Sequence, residues 1–380
     1  MSYPKNECGQ AHPDSLVAKA KRYSLLKYSL TIIETIYLLG LLFLFQGSGL
    51  CKVLSDKISQ IITPSWFLIP AYIFIIYFVY YLLNFPLNIY QTFILEHKFC
   101  LSNQKILDWF KDQIKSGIIF YIIAVILISA FYYILKHYTH TWWLIVSLFW
   151  ISFSLILAKL TPVIIIPLFF KYEKLSDSAL RERIISLANK MQVEILDVFR
   201  IDFSKKSLKA NAAFTGWGST KRVILADTLK DKYSYDEIEV ILAHEFAHYK
   251  LKHAFKLIFL NSLAITVSFY LIFKTSVYAL RIFGLTSLSD IASLPIIIIY
   301  FMLLGIFMQP FENYLSRGFE KNADITALRI TGLKEAFISM MEKLSLQNLA
   351  DKNPHPLIKF FFFDHPPVDE RIALALKAKA

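Results

Sequence analysis

Apolar residues run through this chain in blocks, with the polar residues gathered between them. Blocks lie near Leu25–Phe45, Trp66–Phe85, Gly117–Leu135 and Trp142–Leu160, the last continuing through "TPVIIIPLFF" to about Phe170. Two more lie near Ala254–Phe273 and Ile291–Met308. A helix rises about 1.5 Å per residue, so each block suits a hydrocarbon core of about 30 Å. Six membrane spans is the plain count. Pro162 and Pro167 would make a seventh if they break the fourth block, because proline removes a helix donor and clashes with the preceding turn.

Between the fourth and fifth blocks the pattern changes. "SALRERIISLANKM" has helical periodicity, "EILDVFRIDFS" reads as a strand, and "NAAFTGWGSTKRVILAD" reads as a hairpin with Gly216, Gly218 and Ser219 in its turn. In "SYDEIEVILAHEFAHYK", Ser234 stands three residues before Glu237, a capping box that starts a helix. The expected fold is mainly α: a polytopic α-helical membrane protein of six or seven spans carrying a small α/β domain. Its parts are a membrane-helix region over 1–170, a polar core over 171–253, a transmembrane hairpin over 254–309 and a C-terminal part over 310–380.

Composition sharpens this. Hydrophobic residues make up 56% of the 380 and the mean hydropathy is +0.48, too apolar for an ordinary soluble enzyme. The net charge is +12, but the lysines lie between and beside the apolar blocks, which suits lipid headgroups and topology rather than nucleic acid. The N-terminal segment carries Lys5, Lys19, Lys21, Arg22 and Lys27, and four lysines fill Lys98–Lys115, against only Lys52 and Lys57 between the first two spans. The positive-inside rule then makes the N-terminus cytoplasmic, with the polar core and the tail from Pro310 on that side too. The polar, basic N-terminus lacks the features of a removed signal peptide. Cys8, Cys51 and Cys100 lie far apart and suggest neither a disulfide framework nor a thiolate metal site.

The chemically loaded stretch is "HEFAH". On a helix, His244 and His248 are one turn and about 40° apart, so both imidazoles can reach one ion. Glu245, beside them, can take a proton from a metal-activated water. The competing reading is a surface that happens to carry two histidines at helical spacing. Apolar Ile238 and Val240–Ala243 favour partial burial instead. If the same helix continues, His253 falls about 180° from His244 and is no ligand, and the position ten residues after His244 is Ala254. Two histidines and a glutamate form one standard catalytic zinc set, with the fourth position left to water. Glu320 in "SRGFEKNAD" can complete it, and Asp324, four residues on, can accept the free ring N–H of a histidine ligand. The last hairpin would bring both segments to one side.

The chain resembles the type I CAAX prenyl endopeptidases, membrane zinc metalloproteases that cut isoprenylated C-terminal peptides. The likeness covers nearly the whole chain, through "YQTFILEHKFCLSNQKILDWFKDQIK", "PLFFKYEKL", "SKKSLKANAAFTGWGSTKRVILADTL", "HEFAHYKLKH", "SRGFEKNAD" and "DHPPVDERIALA". It implies one zinc per chain on His244, His248 and Glu320, Glu245 as general base, and spans around an intramembrane chamber. It also implies that Asn211 and Ala212 lie on an edge strand that holds the substrate backbone. His365 and Arg371 would stabilise the oxyanion or hold the peptide. Ala213 stands where the family commonly has tyrosine, and "FKYE" replaces a common Phe-Asn-Lys, which leaves substrate preference open.

The function expected is a membrane zinc metalloendopeptidase acting on a peptide or protein substrate, lipidated or not, among membrane lipids and without nucleic acid. Two alternatives are a quality-control protease that clears misfolded or stalled membrane proteins and a non-enzymatic lipid- or peptide-binding scaffold. Substrate type separates the first from a prenyl protease; Glu245 argues against the second. Short polar loops fit a bacterial plasma membrane better than the endoplasmic reticulum. Oligomeric state is not legible.

Overall fold

The computed structural model describes residues 13–62, 64–216, 221–230 and 232–378. Gly218 and Ser219, expected in the hairpin turn, lie outside these residues. The membrane region comprises α1 (Pro13–Gly47), the short α2 (Leu50–Ile61), α3 (Ser65–Ile89), α4 (Leu95–Lys98), α5 (Ile106–His137), α6 (Trp142–Leu160) and α7 (Ile166–Phe169). The polar region adds β1 (Tyr172–Lys174), α8 (Ser178–Met191), β2 (Asp197–Ile201), β3 (Ala212–Thr215), β4 (Arg222–Ala226), α9 (Asp227–Lys230) and α10 (Tyr235–Lys250). Then follow α11 (His253–Ile282), α12 (Leu294–Thr331), α13 (Lys334–Gln347), α14 (Pro356–Phe362) and α15 (Val368–Lys377).

Among the described residues, six helical stretches are long and apolar enough to cross a membrane. Pro162 does not split the fourth. It sits in a π turn, Thr161–Ile165, that joins α6 to α7, and the wider turn accommodates the missing donor without ending the helix. Likewise α3 runs through a π turn, Tyr90–Ile94, into α4. α12 passes Pro310 without a break and carries the chain from the last span directly into the polar region, so the boundary expected at 309/310 falls inside one helix. It stops at Gly332, whose φ of +69° suits glycine and caps the helix end.

The spanning helices form a ring: α1 beside α3, α3 beside α5, then α6, α11 and α12, which returns to α1. One end is filled by an apolar cluster that includes Tyr72, Phe131, Trp142, Phe269 and Ile296. Against the other end lies the α/β unit, whose core joins α8, α10, α12, α13 and the sheet. The N-terminal half of α1 reaches this same end: Tyr23 donates to Glu96 at 2.6 Å, and Ser24 to the Leu349 carbonyl at 3.2 Å. At the far end Lys52 pairs with Asp290 at 2.9 Å. Both termini of the described chain therefore share the side of the α/β unit. Cys51 is a buried free thiol, whereas Cys100 is disulfide-bonded.

The sheet has the order β1-β2-β4-β3, with β2 and β4 parallel and the outer pairs antiparallel. β3 and β4 are the expected hairpin. The amide of Ala226 donates to the Asn211 carbonyl at 3.0 Å. In an antiparallel ladder alternate residues face the partner, so the N–H and C=O of Ala212 point to the free edge.

Candidate metal centre

α10 begins where the sequence indicated. The Ser234 amide donates to Glu237 Oε2 at 2.7 Å, and the Glu237 amide donates to Ser234 Oγ at 3.2 Å. Such a cap contributes about 1 kcal/mol. Lys343 and Ser339 of α13 donate to the same carboxylate, each at 2.7 Å, so the start of the helix is also fixed to its neighbour.

Alanines bring the two site helices together. Ala243 and Ala247 of α10, and Ala323 and Ala327 of α12, are wholly buried in the core that these helices share. Side chains this small at i and i+4 let backbones approach closely. Next to them in sequence stand His244 and His248 on one helix and Asp324 on the other, with Glu320 one turn before. Ligand atoms of His244, His248 and Glu320 all lie within 4.8 Å of one another. His244 Nε2 is 3.2 Å from Glu320 Oε2, and His248 Nε2 is 3.2 Å from Glu320 Oε1.

The protons on the rings follow from their other partners. His244 donates Nδ1–H to Asp324 Oδ1 at 2.8 Å, which leaves a lone pair on Nε2. Nδ1 of His248 lies 3.1 Å from Nδ1 of His253; with the proton of that contact on His248, its Nε2 is likewise free to ligate. Two imidazole lone pairs and a carboxylate thus converge, and Glu320 Oε2 is buried with no hydrogen-bond donor. Acceptors this close repel one another unless a cation lies among them, so the set fits a divalent metal. The local field favours positive charge at this point: burial opposes a charged His244, yet Asp324 and Glu320 outweigh it and raise its pKa to about 9, so without a metal Nε2 holds a proton that a bound cation would displace.

Glu245 is half-buried and makes no hydrogen bond or ion pair among the described residues. His365, half-exposed, approaches from the open side with Nε2 3.3 Å from Glu320 Oε1 while Nδ1 contacts Asp364 at 2.8 Å. Burial works against its imidazolium, but Asp364 and Glu320 prevail and raise its pKa. Arg371 is placed differently from the contact with substrate that the resemblance implied. Its Nε and Nη2 donate to Asp324 at 2.8 and 2.6 Å, and Nη2 lies 3.4 Å from His244 Nδ1. Ala212 lies in the edge strand and Asn211 immediately before it, exposed. Phe214 of β3 packs on Phe246 and Tyr249 of α10, setting the strand alongside the site helix.

Two participants escaped the sequence reading. His253 is 1% exposed and stacks on Phe319 at 4.7 Å, touching a ligand rather than the metal position. Asn348 exchanges two hydrogen bonds with the Ala210 backbone, at 2.9 and 3.3 Å, and so fixes the approach to β3. Proximity to the histidine pair was the only signal for the first; the second had none.

The chain is similar to known proteins over nearly its whole length. Residues 174–379 match the profile of peptidase family M48. Residues 4–171 match that of the CAAX prenyl protease N-terminal region, described as five membrane helices; here the described residues of that stretch hold four helices of spanning length and α2. An uncharacterized metalloprotease of Bacillus subtilis, YhfN, is 30% identical over 377 residues, covering 97% of this chain and 88% of that protein. CAAX prenyl protease 1 of Saccharomyces cerevisiae is 32% identical over 313 residues, 77% of this chain and 68% of the relative. The crystal structure of S. mikatae Ste24p superposes with a TM-score of 0.86 at 25% identity, over 96% of this chain and 90% of that one. With its ring of spanning helices and its histidine–glutamate centre, the chain belongs to peptidase family M48 and is a membrane metalloprotease.

Proposed function

We propose that the protein is a zinc endopeptidase whose ligands are His244, His248 and Glu320. The observation that carries this reading is the convergence of these three side chains, with ligand atoms within 4.8 Å of one another. A bound zinc ion supplies a Lewis acid that polarises a peptide carbonyl and acidifies a water. Glu245, unpartnered among the described residues and next to the ligands, takes the water's proton and passes it to the leaving amine. His365, inclined to carry a proton and facing the open side, stabilises the developing oxyanion. Asp324 holds His244 in the ligating tautomer, and Arg371 acts through Asp324 as a positioning residue. The substrate backbone adds to β3, where Ala212 offers its N–H and C=O and Asn211 flanks the strand.

The division of labour we infer is helices over 1–170, a catalytic core over 171–253, a hairpin over 254–309 and a completing segment over 310–380, the last two joined within α12. The names of several relatives suggest C-terminal prenylated peptides as substrate. Cleavage of a farnesylated peptide beside its unmodified twin tests this. Wild type is expected to cut the farnesylated form faster, and Glu245→Gln to lose about 10²–10⁴-fold in kcat with metal content unchanged. Equal activity in Glu245→Gln would remove it as base. Faster cutting of unfolded, unmodified membrane proteins would favour a quality-control role.

We further infer a plasma-membrane location with the metal on the cytoplasmic side, from the lysine-rich flanks. The disulfide at Cys100 weighs the other way, since such bonds persist in oxidising compartments. The flanks count for more because they draw on many residues on both sides. A cysteine at exposed Glu182 on α8 should resist an impermeant maleimide in intact cells and react after lysis. Labelling before lysis would reverse the orientation.

A further inference from the structure

Away from the metal centre, one carboxylate lies at membrane depth without a cation. Glu34 sits in α1 about 16 Å along the axis from Tyr23, and Asn84 sits in α3 about 18 Å from Glu96 of α4, at ~1.5 Å per residue. Because Tyr23 and Glu96 are hydrogen-bonded at the protease end, the two lie at one level inside the ring wall. Asn84 Nδ2 donates to Glu34 Oε1 at 3.1 Å. Glu34 is half-buried and makes no ion pair among the described residues. Asn84 is only 7% exposed, and its Oδ1 is buried without a donor. Turning the amide over would set Oδ1 against the carboxylate, so either way an acceptor is left wanting. An unpaired acceptor costs about 1–3 kcal/mol, and ionisable groups at this depth mark functional sites.

The phase of α3 shows which way the pair faces. With Asn84 at 0° and about 100° per residue, Gln91 lies near −20° and Asn88 near +40°. Tyr77 lies near +20° and Phe85 near +100°. Asn84 and Gln91 reach α1, while Asn88, Tyr77 and Phe85 reach Gln113, Phe120 and Trp109 of α5. Both neighbours are thus met from one arc of about 120°, which in a ring of six is the inward arc. The opposite side carries exposed Val79 and Leu82 and suits lipid. Polar Asn84, Asn88 and Gln91 therefore line the interior.

We propose that Glu34 and Asn84 form a subsite for the cationic side chain, lysine or arginine, of a peptide inside the ring. An ammonium or guanidinium brings several donors and a positive charge to the half-buried Glu34 carboxylate, which the Asn84 amide holds in place. A neutral side chain supplies neither. The proposal rests on the endopeptidase reading, in that the peptide must enter the ring. Its reach follows from Tyr28, whose ring is 5.9 Å from Phe363, two residues before His365. Glu34 lies about 9 Å deeper along α1, so the charged residue stands at least about three extended residues from the scissile bond.

The test uses full-length protein in nanodiscs, carrying Glu245→Gln so that binding is read without cleavage. Labelled peptides bearing one lysine, scanned along the sequence, are compared with twins bearing norleucine, by fluorescence anisotropy. At one position lysine should bind about 10-fold or more tightly, as expected for charge-assisted bonds. Adding Glu34→Gln should abolish that ratio and Asn84→Ala should diminish it, with melting temperatures confirming folded variants. A ratio that survives Glu34→Gln, or no lysine preference at any position, would overturn the subsite. Loss of preference in sodium but not in choline at equal ionic strength would reassign it to an inorganic cation. Lysine preference without any cleavage by metal-loaded wild type would instead defeat the endopeptidase reading and leave the subsite standing.

Discussion

Each histidine of the centre is oriented by a different neighbour. His244 leans on Asp324, itself gripped by Arg371, whereas His248 leans on His253. His253 is a neutral acceptor with its own Nε2 buried and unpartnered, so it can be lost more cheaply than the ionised Asp324. Removal of such supports typically weakens metal binding about 10–100-fold. His253→Ala is expected near the lower end of that range and Asp324→Ala near the upper, measured by competition with a chelator; the reverse order would show that the charge on Asp324 matters little. His244, Glu245 and His248 were legible because their relation is fixed within one helix. His253 was excluded as a ligand by extending that helix, and the exclusion agrees with the structure, but its premise does not. Lys252, with φ +57°, turns the chain, and His253 opens α11 instead of continuing α10. A wheel cannot see a corner.

β3 occupies the sheet edge nearest the site helix, and its free side carries the backbone groups of Ala212. Ala212→Pro removes one outward N–H and no hydrogen bond to β4. A several-fold rise in KM with little change in melting temperature is the expected outcome, from peptide-cleavage kinetics and tryptophan fluorescence. A large loss of stability with unchanged KM would mean that β3 is scaffold only. Elements with local signals were readable: the capping box of α10, the periodicity of α8, the hairpin of β3 and β4. The three-residue β1 and the parallel pairing of β2 with β4 were not, because both depend on partners distant in the chain. The fourth span, counted as one but left open to a break at its prolines, was uncertain for a different reason. Proline was weighed against an ordinary α turn, and the chain uses a π turn instead.

For the whole molecule, apolar blocks disclosed how many helices cross the membrane but not their order around the ring, which is set by packing between them. The family resemblance supplied the chamber; Asn84, Asn88 and Gln91 now give its wall a polar interior face. The same ring explains why Glu320, 76 residues after His244, meets it: α12 carries the last span straight through to the alanine contact with α10. Everything chemical in this account depends on that meeting. Zinc content per chain in purified, zinc-supplied protein tests it most directly, with wild type beside Glu320→Ala and His253→Ala. About one zinc in wild type, largely lost in Glu320→Ala and retained at saturating zinc in His253→Ala, is the expected result. Full zinc in folded Glu320→Ala, or none in folded wild type, would contradict the ligand set.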